Sequence, residues 1–422
     1  SGVLHVTKVS HPWPSRSPTR RISVGDTLGT MYRSRAVLLA MILVGGVIAG
    51  VLGGAMARLI HLFHRFTADG PLHPVLAAAL GGVAAGFGWW WLRRTRPVRS
   101  VEESVTTDTP LPLGRTLLDA LLQLLAVGSG ISLGREQAPR QSAAALLDRL
   151  SRVTRVEEDD RRLLVAAAAG AGLAAVYNVP LAGVLFTLEA MPVRRSWRAL
   201  ATAGVMSGVA TVTAWPLVGN RSVYQLPDAP FDPLVLWVLP LLLLAAVPVA
   251  RVFLTMMRSA HGWKVVDPRW LPLSVGAATA GVVTVSQFLP GVTGNGEDIV
   301  RTALDPATAL PLLLTLLVVK PLLTAGSLGS GAVGGTLTPA LAVGAALGAG
   351  AGALAGAGPE TVPLLAVLGA AMVLAVMQRA PLFAAVIAWE LTWAPLWTIP
   401  LLLPAAVAAH LLGRLNPRRP RR

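Results

Sequence analysis

Gly128-Ser129-Gly130-Ile131-Ser132-Leu133-Gly134-Arg135-Glu136-Gln137-Ala138-Pro139 interrupts a strongly apolar chain with small residues and a single acid. Glycines free the backbone from helical geometry, and Pro139 suits the first turn of a new helix. A helix start leaves N–H groups unpaired and carries partial positive charge, so it attracts an anion. Glu136 lies inside this break. A carboxylate at membrane depth is costly and usually functional. Set among unpaired N–H groups, it can occupy an anion position itself and leave when protonation removes the attraction. The competing reading pairs Arg135 with Glu136 as a structural ion pair.

The break has a counterpart further along the chain. Gly128-Ser129-Gly130 recurs as Gly329-Ser330-Gly331, and Gly134 recurs as Gly335. Pro180-Leu181 recurs as Pro381-Leu382, and Glu189 as Glu390, all at one offset of 201 residues. The second break, Gly329-Ser330-Gly331-Ala332-Val333-Gly334-Gly335-Thr336-Leu337-Thr338-Pro339, has no acid but offers the same entry to a helix. Its plainer reading is close helix packing through small residues. A single offset for both motif pairs points to duplication. The expected organisation is a basic tail over 1–35, a first repeat over 36–220, a linker over 221–230, a second repeat over 231–413 and a basic tail over 414–422. Two halves of opposite topology place a substrate site where they meet, near the bilayer midplane.

Composition sets the class. The 422 residues include no Cys; 54% are hydrophobic and 14% charged, and the mean hydropathy is +0.62. These values exclude disorder, a disulfide framework and an ordinary soluble enzyme. The net charge is +15, but the basic residues sit at the ends of apolar runs rather than on polar faces, which argues against nucleic acid as a partner. Apolar runs extend from Ala36–Phe63 through Leu234–Phe253 to Leu396–Leu412. Several, such as Thr116–Val127 and Leu382–Trp393, are shorter than the roughly 20 residues of a full span. Short, interrupted segments are expected where helices break inside the membrane, and protein must cover such backbone. The expected fold is therefore an all-α polytopic membrane protein with many broken helices, a lipid bilayer as its solvent and both basic ends in the cytoplasm. His61 and His64 share a helical face, but without a third ligand they do not make a metal site. No phosphate-binding loop is present, and neither catalytic chemistry nor a cofactor is expected.

The two breaks, in this order and spacing, resemble the CLC family of chloride channels and chloride/proton antiporters. Gly134-Arg135-Glu136-Gln137-Ala138 is similar to that family's Gly-Arg-Glu-Gly-Pro, with Pro139 one place late. Gly335-Thr336-Leu337-Thr338-Pro339 is similar to its Gly-x-Phe-x-Pro, and Tyr177-Asn178-Val179-Pro180-Leu181-Ala182-Gly183 to the stretch that leads to the glutamate matched by Glu189. Lys320 and Gly294-Asn295-Gly296 are family-like as well. The resemblance implies an inverted repeat of tilted, broken helices and a homodimer in a bacterial-type inner membrane. It implies transport of a small inorganic anion, chloride first, with Glu136 as gate. Groups around Gly134, Arg135, Gln137, Gly335, Thr336, Leu337 and Thr338 would hold the anion.

The departures bear on mechanism. The family's first anion loop is matched best by Pro97-Val98-Arg99-Ser100-Val101-Glu102, which puts Val98 where a serine is expected. The family's pore tyrosine near the C-terminal end has no counterpart, since the tyrosines are Tyr32, Tyr177 and Tyr224. The place of the proton-relaying glutamate holds Ala190, with Glu189 the nearest acid. Channel-like or weakly proton-coupled passage of anions is the expected outcome. The alternatives are a rerouted proton path, fluoride in place of chloride, or a scaffold that keeps the fold without transport. Glu189 and Glu390 are read as structural, paired near helix ends.

Overall fold

Backbone inside a bilayer has no water to bond, so it must satisfy itself in helices. The computed structural model describes residues 24–68, 70–95, 98–226 and 230–415 and is helical almost throughout. The first half contains α1 (Val24–Ala68), α2 (Pro74–Arg93), α3 (Val101–Thr107), α4 (Leu113–Gly128), α5 (Gln137–Val153), α6 (Glu158–Tyr177), α7 (Pro180–Leu185) and α8 (Trp197–Val218). A π turn, Phe186–Ala190, extends α7. The second half contains α9 (Leu234–Trp263), α10 (Leu271–Ser286), α11 (Glu297–Leu304), α12 (Leu310–Gly329), α13 (Leu337–Leu354), α14 (Thr361–Gln378), α15 (Pro381–Thr392) and α16 (Ile399–Arg414). Among the described residues, eight helical segments are long and apolar enough to cross a membrane, while Pro180–Ala190 and α15 are short apolar helices.

The boundary expected at residue 35 falls inside α1, which already starts at Val24. Residues 1–23 and 416–422 of the basic ends, and Pro97 of the stretch matched to the first loop, lie outside the described residues. Three helices escape an apolar-run reading. In α5 the charged Arg140, Asp148, Arg149 and Arg152 interrupt the pattern, yet Ala143, Ala144 and Leu147 form a buried stripe, as an amphipathic helix requires. In α3, Ser100 accepts the N–H of Glu103 at 3.1 Å and caps a helix too polar to stand out. The third, α11, opens with Glu297 and Asp298. The mixed-charge stretch 156–162 is helical from Glu158 onward, with Glu158, Asp159 and Asp160 in the first turn of α6, where acids are favourable.

Helix α14 is apolar on every face, so it must be buried all round. In its most apolar stretch 94% of residues are buried, against 39% in α1 and 28% in the last span, so α14 is the centre of the second half. It packs on α13 at very close range. A Cβ added at Gly348 would lie 1.9 Å from the Leu365 carbonyl, so only glycine fits there. Across the halves, α2 lies along α10.

The halves also exchange helix caps. Glu390, in α15, accepts the N–H groups of Leu181 (2.9 Å) and Ala182 (2.7 Å) at the start of α7. Glu189, at the end of the α7 unit, accepts the N–H of Phe383 (2.8 Å) at the start of α15. Each carboxylate thus satisfies orphan donors of the repeat-related helix. In the connection between the halves, Asp232 accepts from the Thr361 hydroxyl at 2.6 Å and the Leu234 N–H at 2.9 Å. These bonds hold its carboxyl below the ordinary value, the Thr361 hydroxyl foremost.

Glu390→Ala leaves two N–H groups unpaired in a buried place and is expected to destabilise the fold by about 3 kcal/mol. Thermal unfolding in detergent checks this. Glu189→Ala, which removes one bond from a half-buried group, is expected to cost less.

Candidate functional site

The two breaks meet. Gly134 N–H donates to the Gly335 carbonyl at 2.7 Å, and Gly335 N–H donates to the Gly134 carbonyl at 2.9 Å. This isolated antiparallel bridge sets the starts of α5 and α13 side by side. It also corrects one expectation: the N–H groups of Gly134 and Gly335 are engaged with each other and do not point at an anion.

A donor to Glu136 comes from the start of α13. Glu136, fully buried, accepts the Leu337 N–H through Oε1 at 2.9 Å. Its Oε2 lies 3.2 Å from the Thr338 hydroxyl and 3.5 Å from the Tyr177 hydroxyl. The two hydroxyls are 2.9 Å apart. Two hydroxyl hydrogens cannot serve three contacts. The distances favour Tyr177 donating to Thr338 and Thr338 donating to the carboxylate, with the 3.5 Å contact at the limit of a bond. A negative group therefore sits at a helix start, held by one N–H and a chain of hydroxyls. A side chain on either neighbouring glycine would displace it. A Cβ at Gly335 would meet Glu136 Oε1 at 2.0 Å, and one at Gly134 would meet Oε2 at 2.3 Å.

Arg135 leaves in another direction. Its guanidinium donates to Glu297 Oε2 at 3.1 Å and lies 5.4 Å from the Tyr177 ring centre. The Arg135–Glu136 ion pair does not form; Glu297 of α11 takes that role, and Arg301 also pairs with it at 2.7 Å. Beneath the break, one face of α12 carries it. Ser132 bonds Thr324 at 3.2 Å and Ser327 at 3.3 Å, while Lys320 donates to the carbonyls of Val292 and Gly294 at 3.1 and 2.8 Å. The buried ammonium thus binds the glycine turn that packs against Gly130.

Two cavities flank the carboxylate. One, of about 1420 Å³, is lined by Arg58, Arg65, Arg135, Arg221 and Arg301 against Glu297. The other, of about 540 Å³, is lined by Arg93, Arg99, Arg140 and Lys264 against Glu102 and Asp119. Arg135 faces the first and Gln137 the second, so Glu136 stands between them. Both cavities carry an excess of positive charge, which concentrates anions. Asp119 is tied down by Trp89, Gln123 and Gln141 at 2.9, 2.7 and 3.0 Å.

The expected site residues thus divide. Glu136, Leu337 and Thr338 come together with the glycine pair, and Thr336 precedes them as the N-cap of α13. Arg135 and Gln137 belong to opposite cavities. Val98 and Ser100 line the second cavity, although the Ser100 oxygen is engaged as the cap of α3. Glu189 and Ala190 are not among the described residues lining either cavity. Tyr177 and Arg140 are the residues that the sequence reading left without a role. The aromatic before Asn178 and an arginine beside Pro139 were the available signals.

Gly335→Ala is expected to lower stability by about 1–3 kcal/mol through overpacking against the carboxylate. Adding Glu136→Ala should restore part of that loss, because the clash partner is gone. A double-mutant cycle on melting in detergent reads this coupling; additive losses would contradict it.

The model of the voltage gated chloride channel family matches residues 89–413. A ClcB-like chloride channel protein of Ralstonia nicotianae is 32% identical over 283 residues, which is 65% of each chain. The voltage-gated ClC-type chloride channel ClcB of Salmonella typhi is 30% identical over 65% of this chain and 67% of its own. This chain thus spans about two thirds of the length of such relatives. Among solved structures, a slow cyanobacterial Cl⁻/H⁺ antiporter superposes with a TM-score of 0.78 at 23% identity, covering 89% of this chain and 95% of that one. A CLC-type fluoride/proton antiporter gives 0.74 at 21% identity, covering 93% and 97%. The fold is therefore the all-helical, multi-span CLC fold, and the chain belongs to the voltage-gated chloride channel family.

Proposed function

We propose that the protein carries small inorganic anions, chloride first, across a bacterial-type inner membrane through the seat that Glu136 fills, with Glu136 as the gate. One observation carries this reading: a buried carboxylate accepts the Leu337 N–H at 2.9 Å between two cationic cavities. The same donors serve a free anion when the carboxylate withdraws. Ionised, Glu136 is held at the helix start and closes the path. Protonated, it loses that attraction, leaves toward the first cavity and exposes the Leu337 N–H and the Thr338 hydroxyl. The anion then shares the seat with no other negative group.

Orientation follows from the basic ends, which belong in the cytoplasm. Helix α1 starts at that side and ends beside Arg65, which lines the first cavity. The first cavity then faces outward and the second inward. Transport without tight proton coupling is favoured by Ala190, whose methyl carries no proton, and by Glu189, whose carboxylate is committed to the Phe383 N–H. A homodimer with one path per subunit is the proposed assembly. Fluoride is a second candidate, since the two hydroxyls at the seat suit a compact, strongly hydrogen-bonded ion.

Liposome flux assays test the gate. Glu136→Gln mimics the protonated acid and is expected to raise chloride flux and flatten its pH dependence. A chloride gradient is expected to drive no uphill proton movement, and parallel fluoride assays rank the ions. Unchanged flux and an unchanged pH response in Glu136→Gln would remove the gate from this residue.

A further inference from the structure

We infer that Glu297 is a positioning residue for the gate: it holds the Arg135 guanidinium away from Glu136, so that the carboxylate in the seat is gripped by neutral donors and can be released. This rests on the reading of Glu136 as the gate. Arg135 is next to Glu136 in the chain, and its side chain is only 10% exposed. A buried arginine beside a buried carboxylate ordinarily pairs with it. Both charges have lost water, and a guanidinium–carboxylate contact is among the strongest hydrogen-bonded pairs. Here the guanidinium donates instead to Glu297 Oε2 at 3.1 Å. It lies 5.4 Å from the ring centre of Tyr177, whose hydroxyl is 3.5 Å from Glu136 Oε2. Its Nε is buried without a partner among the described residues, so a donor is left over for any acceptor that comes within reach.

The counter-charge is built in firmly. Glu297 opens α11, and its N–H donates to Asn295 Oδ1 at 3.2 Å. Lys320 secures the same turn through the Gly294 carbonyl at 2.8 Å. Helix α11 packs on α13, so the acid is fixed relative to the helix whose start forms the seat. Its second partner, Arg301, lies one turn on at 2.7 Å and has a side chain 52% exposed. If the acid is lost, Arg301 turns to water. Arg135 has no such exit. It is left as an uncompensated buried charge, and the carboxylate next to it in the chain is the acceptor that relieves the cost.

Other charges face these groups. His61 of α1 interacts with both Arg135 and Glu297, and with His64 and Arg65 on its own helix. Arg140 interacts with Glu136 from within α5. The phenols of Tyr177 and Tyr224 lie alongside. Histidine changes charge near neutral pH, so both rings must be removed before a pH profile is read. The arginines keep their charge throughout. Losing Glu297 therefore acts on Glu136 in one direction: Arg135 holds the ionised carboxylate harder, and more acid is needed to release it.

Chloride flux in liposomes, read against pH in a chain carrying His61→Gln and His64→Gln, tests this. Glu297→Gln is expected to move half-maximal flux about one pH unit lower. Glu297→Asp keeps the charge on a shorter arm and is expected to show only part of that shift. With Arg135→Gln also present, changing Glu297 is expected to leave the midpoint where it is, because nothing remains to be positioned. A shift of equal size with and without Arg135 would mean that Glu297 acts by bare repulsion, and no shift in Glu297→Gln would mean that it does not act on the gate; either overturns the inference. Should Glu297→Gln fail to fold, Glu297→Asp with and without Arg135 carries the same comparison. The gate stands or falls separately. A parent-like pH response in Glu136→Gln removes the gate itself, whereas a flat response there with an unshifted Glu297→Gln removes only the part given to Glu297.

Discussion

Two glycines, 201 residues apart, hold each other's backbone, and everything at the centre of the molecule depends on that contact. Without the Gly134–Gly335 bridge, the starts of α5 and α13 would have no fixed relation. With it, Glu136 reaches the Leu337 N–H of the other half. The bridge also uses up two N–H groups that would otherwise be unsatisfied in a buried place. The seat is therefore narrow: a helix start, one free amide direction and a pair of hydroxyls, bounded by positions where even a methyl would collide.

The same economy runs through the rest of the fold. Helices that end inside a membrane leave donors and acceptors that lipid cannot serve. Here each half serves the other. Glu189 and Glu390 cap one another's helices, and Lys320 binds the carbonyls of the turn beside the first break. Glu136 differs from these in its neighbours, which are mostly neutral hydroxyls, with a large cavity lined with arginines nearby. Under the proposed gating, a carboxylate so placed is held when ionised and released when neutral.

Much of this could be read from residue order alone, and the reasons are specific. The breaks stand out because glycine and serine clusters are rare in long apolar runs, and the offset between them needs no three-dimensional knowledge. Glu136 is conspicuous for the same reason. Helix α5 was not visible as an apolar run because Arg140, Asp148 and Arg152 hide a buried alanine stripe. The partner of Arg135 lies 162 residues away, beyond any local pattern. Tyr177 was visible as an aromatic before Asn178, but its approach to Thr338, 161 residues on, depends on how α6 packs. The loss of Gly134 and Gly335 as anion donors follows from their pairing, which no spacing announces.

The most direct measurement is a crystal structure of Glu136→Gln grown in bromide, read by anomalous scattering. A bromide peak is expected in the place the ionised carboxylate occupies, within hydrogen-bond reach of the Leu337 N–H and the Thr338 hydroxyl. A map with no peak between the two cavities, or with bromide bound only away from α13, would contradict an anion path through this seat.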